Sequence, residues 1–227
     1  MIEEHINFNS DGLKLEGVLS YDENVLNPPI VLLCPPHPHL GGDMENNVIT
    51  ALGKVLAENG FATLRFNYRG VGNSESKQGN IAEVYEYWET ILNNDDCSDA
   101  IVDATSAINY LESTVGTDEM FIAGYSFGAI VAMMLSVDNA DIRAFASIST
   151  PFGRFETAFL SDCDKPKLFV CADNDFASSL EEVERGMLRI SEPKILDIMR
   201  DCDHFYIDKE LEIADKVLGF FNLNTPT

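Results

Sequence analysis

The chain has 227 residues, 45% hydrophobic and 23% charged, proportions that support a single buried core and argue against disorder. Its 15 Lys and Arg against 38 Asp and Glu leave a formal charge of −23, a field that repels phosphate backbones and anionic headgroups, so neither nucleic acid nor a membrane is an expected partner. The run Met1-Ile2-Glu3-Glu4-His5 lacks a basic segment and an apolar stretch of signal-peptide length, and the five cysteines show no Cys-x-x-Cys spacing and read as reduced thiols; a cytoplasmic location is expected.

Residues 2–8 and 13–21 flank the turn cluster Ser10-Asp11-Gly12 and read as an antiparallel hairpin. Short β-branched or apolar runs then recur at 30–34, 61–66, 120–123, 143–148, 167–172 and 194–199, the pattern of buried parallel strands. Helical stripes lie between them: Val48, Ile49, Leu52, Val55 and Leu56; Ile101, Ala104, Ile108 and Leu111; a run after Ser126; Leu180, Val183, Met187 and Ile190; and Leu211, Ala214, Leu218 and Phe221. The alternation predicts one α/β domain over residues 1–227, an eight-stranded mostly parallel sheet with an antiparallel N-terminal hairpin and helices on both faces. The long connection 75–99 is expected to hold a lid-like helical insert, with Val84, Trp88 and Ile91 on one stripe. Because it follows the carboxyl end of a strand, Trp88 is a candidate wall for a bound acyl group.

Gly124-Tyr125-Ser126-Phe127-Gly128 is a G-x-S-x-G motif set between an apolar strand and a helix-like run. A sharp strand-to-helix turn there holds the serine in a strained conformation, and a β-carbon at either flanking glycine would collide with it. Ser126 is therefore the candidate nucleophile, and the Phe127 N–H at the helix start is a candidate oxyanion donor. Tyr125, beside the serine, is a candidate substrate-binding residue.

A serine hydroxyl needs a base within hydrogen-bond reach. Of four histidines, His204 follows the last strand and fits the chain order serine, acid, histidine. The acid is sought in Ala172-Asp173-Asn174-Asp175-Phe176, with Asp175 taken first and Asp173 in reserve. The loop Cys34-Pro35-Pro36-His37-Pro38-His39-Leu40-Gly41-Gly42 is where a second oxyanion donor belongs; proline has no N–H, leaving His39 or Leu40, and His39 is taken. A metal site built from His37, His39, Asp43, Asp201, Asp203 and His204 would compete for His204, so no metal and no cofactor is expected. A catalytically silent binding protein on the same fold is the remaining alternative.

The stretch 34–47, the run Phe66-Asn67-Tyr68-Arg69-Gly70-Val71-Gly72-Asn73-Ser74, residues 124–129 and Asp203-His204-Phe205 together resemble a group of small α/β-hydrolases related to dienelactone hydrolases and small esterases. The resemblance implies the α/β-hydrolase fold and a serine triad on Ser126, Asp175 and His204; the group has histidine in place of Pro35 and glycine in place of Ala172. A serine nucleophile favours acyl transfer to water, so the expected activity is hydrolysis of small or medium acyl esters or thioesters through an acyl-enzyme. The expected partner is thus a small-molecule acyl substrate, and a homodimer is compatible with this reading. Only about fifteen residues, 151–165, occupy the place of a cap, which predicts a minimal one.

Overall fold

The computed structural model describes residues 1–225. β1 (Ile2–Ser10) and β2 (Leu13–Tyr21) pair antiparallel with Ser10 opposite Leu13. Asp11 and Gly12 between them both take positive φ, 48° and 81°, as a two-residue turn matched to strand twist requires. The other strands are β3 (Ile30–Cys34), β4 (Ala62–Phe66), β5 (Met120–Tyr125), β6 (Ile142–Ile148), β7 (Lys167–Asn174) and β8 (Lys194–Asp203). They form one eight-stranded sheet in the order β1-β2-β4-β3-β5-β6-β7-β8, parallel from β4 onward.

Side-chain alternation divides the core in two. Ile30, Leu32 and Cys34 of β3 join the apolar cluster under α3 (Ser98–Val115) and α4 (Phe127–Asp138), whereas Val31 and Leu33 join the one under α1 (Asn47–Glu58) and α6 (Glu210–Asn224). Burial on both faces explains why the central strands read as unbroken apolar runs. The chain leaves β3 toward β4 and leaves β5 toward β6, so two adjacent strands send their loops in opposite directions. Such a switch point opens a crevice at the strands' carboxyl ends. Cys34 pairs with Gly124 in register, which puts the proline-rich loop and Ser126 side by side there.

Two helical faces differ from the sequence expectation. In α6 the buried residues are Ile213, Ala214, Val217, Phe220 and Phe221, while Leu211 is exposed. That helix carries two overlapping apolar stripes, and packing against α1 selects one of them. α5 (Leu180–Met187) ends before Ile190, which is still buried, and begins in a capping box of Ser179 and Glu182.

The 75–99 connection contains α2 (Ile81–Asn94), capped by the Asn80 side chain. Arg69 ties it to the body of the fold. The Arg69 guanidinium, 2% exposed, binds Asp103 of α3 at 2.8 Å and Asp99 at 2.7 Å, while Asp103 also accepts from Ser10 Oγ. Residues 151–165 form a short irregular segment with a 3-10 turn at Ala158–Leu160. Among the described residues no helix is long and apolar enough to cross a membrane.

Candidate active site

The site begins with backbone geometry at the end of β5. Ser126 sits at φ 57°, ψ −117°, a region that L-residues seldom occupy, and its N–H donates to the Ile148 carbonyl at 2.8 Å. Close packing makes glycine obligatory on both sides. A β-carbon on Gly124 would lie 2.0 Å from the Gly128 carbonyl oxygen, and one on Gly128 would lie 2.1 Å from that of Cys34. The chain turns sharply enough to lift the serine hydroxyl out of the sheet.

The loops after β7 and β8 bring Asp175 and His204 to the same place. His204 Nε2 is 3.1 Å from Ser126 Oγ, and His204 Nδ1 is 2.8 Å from Asp175 Oδ1. With Nδ1 donating to the carboxylate, Nε2 is left as an acceptor for the serine proton. Asp173 has a different partner, the Cys202 N–H at 3.3 Å, and Asp203 accepts from Phe205 N–H at 3.0 Å.

Asp175 is held by more than the histidine. Ser149 Oγ donates to its Oδ2 at 2.5 Å and the Ala177 N–H to its Oδ1 at 2.7 Å. Burial pushes its carboxyl up, but the hydrogen bonds from His204 and Ser149 outweigh that and hold it below its ordinary value. Since the Ser149 proton is committed to Asp175, the buried Tyr206 hydroxyl 2.7 Å away serves as donor to Ser149 Oγ.

Three of the sequence-selected residues, His39, Tyr125 and Trp88, lie elsewhere than expected or act otherwise. The His39 N–H is not directed at Ser126, because it donates to His37 Nδ1 at 3.2 Å. The N–H of His37, by contrast, takes part in none of the loop's backbone hydrogen bonds, and His37 lines the cleft beside Ser126. The signal was present: Pro35, Pro36 and Pro38 lack an N–H, so His37 alone carries one inside the proline run. Phe127 begins α4, where its N–H has no partner within the helix. Tyr125 is buried, and its hydroxyl donates to the His204 carbonyl, so it braces the histidine loop and does not wall the cleft. Trp88 is 1% exposed, its Nε1 donates to the Arg69 carbonyl at 3.0 Å, and its ring packs on Tyr68, Tyr87 and His37. From the insert it is Leu92, one turn on, that reaches the cleft.

The cleft over Ser126 has a volume of about 200 Å3 and is walled by Leu40, Leu92, Pro151, Phe155, Phe176 and Ala177, with Arg154 the one Lys, Arg, Asp or Glu among the described lining residues. Arg154 reaches from the 151–165 segment to the Leu92 carbonyl and the Asp95 carboxylate at the end of α2. The His37 ring packs edge-on against Phe127 at 4.5 Å and Trp88 at 5.4 Å, with Nε2 lacking a partner. Burial, and then the neighbouring His39 and Arg154, lower its pKa to about 4, so it is neutral at pH 7. Among the described residues no three His, Cys, Asp or Glu side chains come together as a metal would require.

Known proteins are similar to this one in sequence or fold over most of the chain. A family described as serine aminopeptidase, S33, matches residues 41–164. An uncharacterised protein of Rickettsia prowazekii is 31% identical over 222 residues, covering 93% of this chain and 86% of its own. The solved structure of an alpha-beta serine hydrolase homologue from Coxiella burnetii is 26% identical, with a TM-score of 0.81 over 96% of this chain and 97% of that one. A Xanthomonas campestris protein, described as an a/b serine hydrolase without lid, shares the fold with a TM-score of 0.81 at 22% identity, over 99% of this chain and 96% of its own.

Proposed function

The chain belongs to the serine aminopeptidase S33 family of α/β-hydrolases, and from that premise we propose that it hydrolyses carboxylic esters or thioesters of small to medium acyl groups through an acyl-enzyme on Ser126. The observation that carries the proposal is the continuous hydrogen-bonded line from Ser126 Oγ through His204 to Asp175. In this reading His204 Nε2 takes the serine proton as Oγ attacks the carbonyl carbon, and Asp175 stabilises the imidazolium that results. The backbone N–H groups of Phe127 and His37 receive the oxyanion. The proton then passes from Nε2 to the leaving oxygen or sulfur, and water, activated by the same nitrogen, releases the acyl group.

Peptide cleavage from a free amino terminus fits the cleft less well. An aminopeptidase must hold an α-ammonium, yet among the described lining residues none is acidic, and Arg154 would repel a cation. The same reading places the protein in the cytoplasm, supported by five unpaired cysteines, four of them buried.

The test is labelling with a fluorophosphonate probe alongside hydrolysis of p-nitrophenyl and acyl-CoA substrates of graded length. Labelling of the wild type and its loss in Ser126→Ala, with ester or thioester turnover falling to a small residue, is the expected result. Turnover that survives in the variant would remove Ser126 from the mechanism.

A further inference from the structure

Phe176 and Phe205 are large apolar side chains left in water, 70% and 55% exposed. Each directly follows a member of the hydrogen-bonded line, Asp175 and His204, and the Ala177 N–H bond to Asp175 Oδ1 closes a tight turn around Phe176. The Phe205 carbonyl accepts from Asn47 Nδ2 at 3.0 Å and its N–H donates to Asp203 at 3.0 Å. The two rings are 5.7 Å apart, and both pack on the His204 ring, Phe176 at 4.6 Å and Phe205 edge-on at 6.0 Å. An exposed aromatic pair on a rigid backbone beside reacting groups is a binding surface without its occupant.

The chemistry proposed above determines which part of a substrate lies there. When Ser126 Oγ bonds to the carbonyl carbon and the C–OR bond breaks, the departing oxygen takes from His204 Nε2 the proton that Ser126 gave up. The leaving group therefore departs past the His204 ring, over Phe176 and Phe205. We infer that this pair is the leaving-group ledge, and that the substrate is an ester whose alcohol carries a flat, uncharged ring; the inference rests on the reading of Ser126 as nucleophile. A phosphate-bearing leaving group such as coenzyme A is disfavoured at this edge. Asn47 Nδ2, which holds the Phe205 carbonyl, also binds Glu210 at 2.8 Å, Asp203 accepts from the Phe205 N–H, and the whole chain carries −23.

The experiment compares kcat/KM for 2-naphthylmethyl acetate and methyl acetate in the wild type, Phe176→Ala, Phe205→Ala and Phe176→Tyr. Taking the ratio of the two esters, and then of variant to wild type, cancels the intrinsic reactivity of each alcohol. The naphthylmethyl-to-methyl ratio is expected to fall about fivefold in each alanine variant and to be held by Phe176→Tyr, which keeps the ring. An unchanged ratio, or a parallel loss on both esters from disturbance of His204, would overturn the ledge. Failure of the wild type to react with a fluorophosphonate or to cleave any ester would instead bring down the serine-hydrolase reading, and the ledge with it. Labelling combined with a flat ratio removes the ledge alone.

Discussion

Asp173, at the end of β7, and Asp175, just past it, stand two positions apart, and the direction of their oxygens separates them. Asp173 accepts from the Cys202 backbone, whereas Asp175 faces the imidazole. Asp175→Asn removes the charge that stabilises an imidazolium and is expected to lower kcat by roughly 10^3- to 10^4-fold. Asp173→Asn, which loses one backbone contact, should stay within about tenfold of wild type. Steady-state kinetics with p-nitrophenyl acetate decide between them, and the reverse ranking would move the acid to Asp173. A subtler effect is expected at Ser149, whose hydroxyl holds the second oxygen of Asp175 at 2.5 Å. Ser149→Ala should reduce kcat about tenfold with little change in KM, because a hydrogen bond to a charged group contributes about 1.5 kcal/mol and acts here on orientation. Tyr206→Phe should cost less, since the Ser149 proton still reaches Asp175; equal losses in the two variants would count against this ordering of donors. Chain order and the strand-turn-helix motif bring out Ser126 and His204 from sequence, because both depend on local pattern. Spacing cannot choose between Asp173 and Asp175. Nor can it reveal Ser149 and Tyr206, which lie 26 and 57 residues from the groups they serve.

Strands were easier to read than helix faces, for a physical reason. Strands such as β3 and β5 are buried on both sides, so their apolar runs have one interpretation, and β3 occupies 30–34 as the sequence indicates. A helix exposes some apolar residues, and α6 offered two stripes between which only α1 could choose. The insert presents the same ambiguity: its stripe of Val84, Trp88 and Ile91 faces inward, onto Tyr68, Phe127 and the Arg69 carbonyl. Trp88→Ala is therefore expected to destabilise the fold by about 3 to 5 kcal/mol, through the cavity and the lost hydrogen bond, and to lower kcat/KM for acetyl and octanoyl esters in parallel. Chemical denaturation and kinetics on the two esters test this, and a loss confined to octanoyl would return Trp88 to the acyl wall. Arg154 acts at the other end of the insert, where its guanidinium meets the Leu92 carbonyl in the last turn of α2 and the Asp95 carboxylate. Both side chains are about two-fifths exposed, so the pair contributes at most about 1 kcal/mol. Arg154→Ala should speed hydrogen exchange in the last turn of α2 while leaving the melting temperature within a few degrees. Unchanged exchange there would show that the insert is held by Trp88 and Arg69 alone.

Charge on the whole molecule and one buried imidazole pull acid stability in opposite directions. With 38 acidic and 15 basic residues the folded chain repels itself at pH 7, and acidification toward the isoelectric point near 4.3 relieves that repulsion. His37 works against this relief. Its folded pKa of about 4 lies below the ordinary 6.5 because its ring is buried against Phe127 and Trp88. Between those two values the unfolded chain binds a proton that the folded chain does not, so the contribution of His37 is fully present above pH 6.5 and is lost as pH falls toward 4. The full effect is on the order of 3 kcal/mol, of which about 2 kcal/mol is lost between pH 7.5 and pH 5. Asp175 does not interfere in that interval: its folded pKa is depressed below the ordinary 3.8, so its own contribution persists until the pH drops further. His37→Asn isolates the histidine, since asparagine keeps an acceptor for the His39 N–H and leaves the formal charge at pH 7 unchanged. Self-repulsion is then common to both proteins and cancels in their difference. Urea unfolding at pH 7.5, 6.5, 5.5 and 5 should show wild-type stability falling relative to His37→Asn by about 2 kcal/mol across the series. Parallel curves would mean that the His37 ring reaches a proton acceptor or water when charged, and that its burial sets no acid limit on the fold.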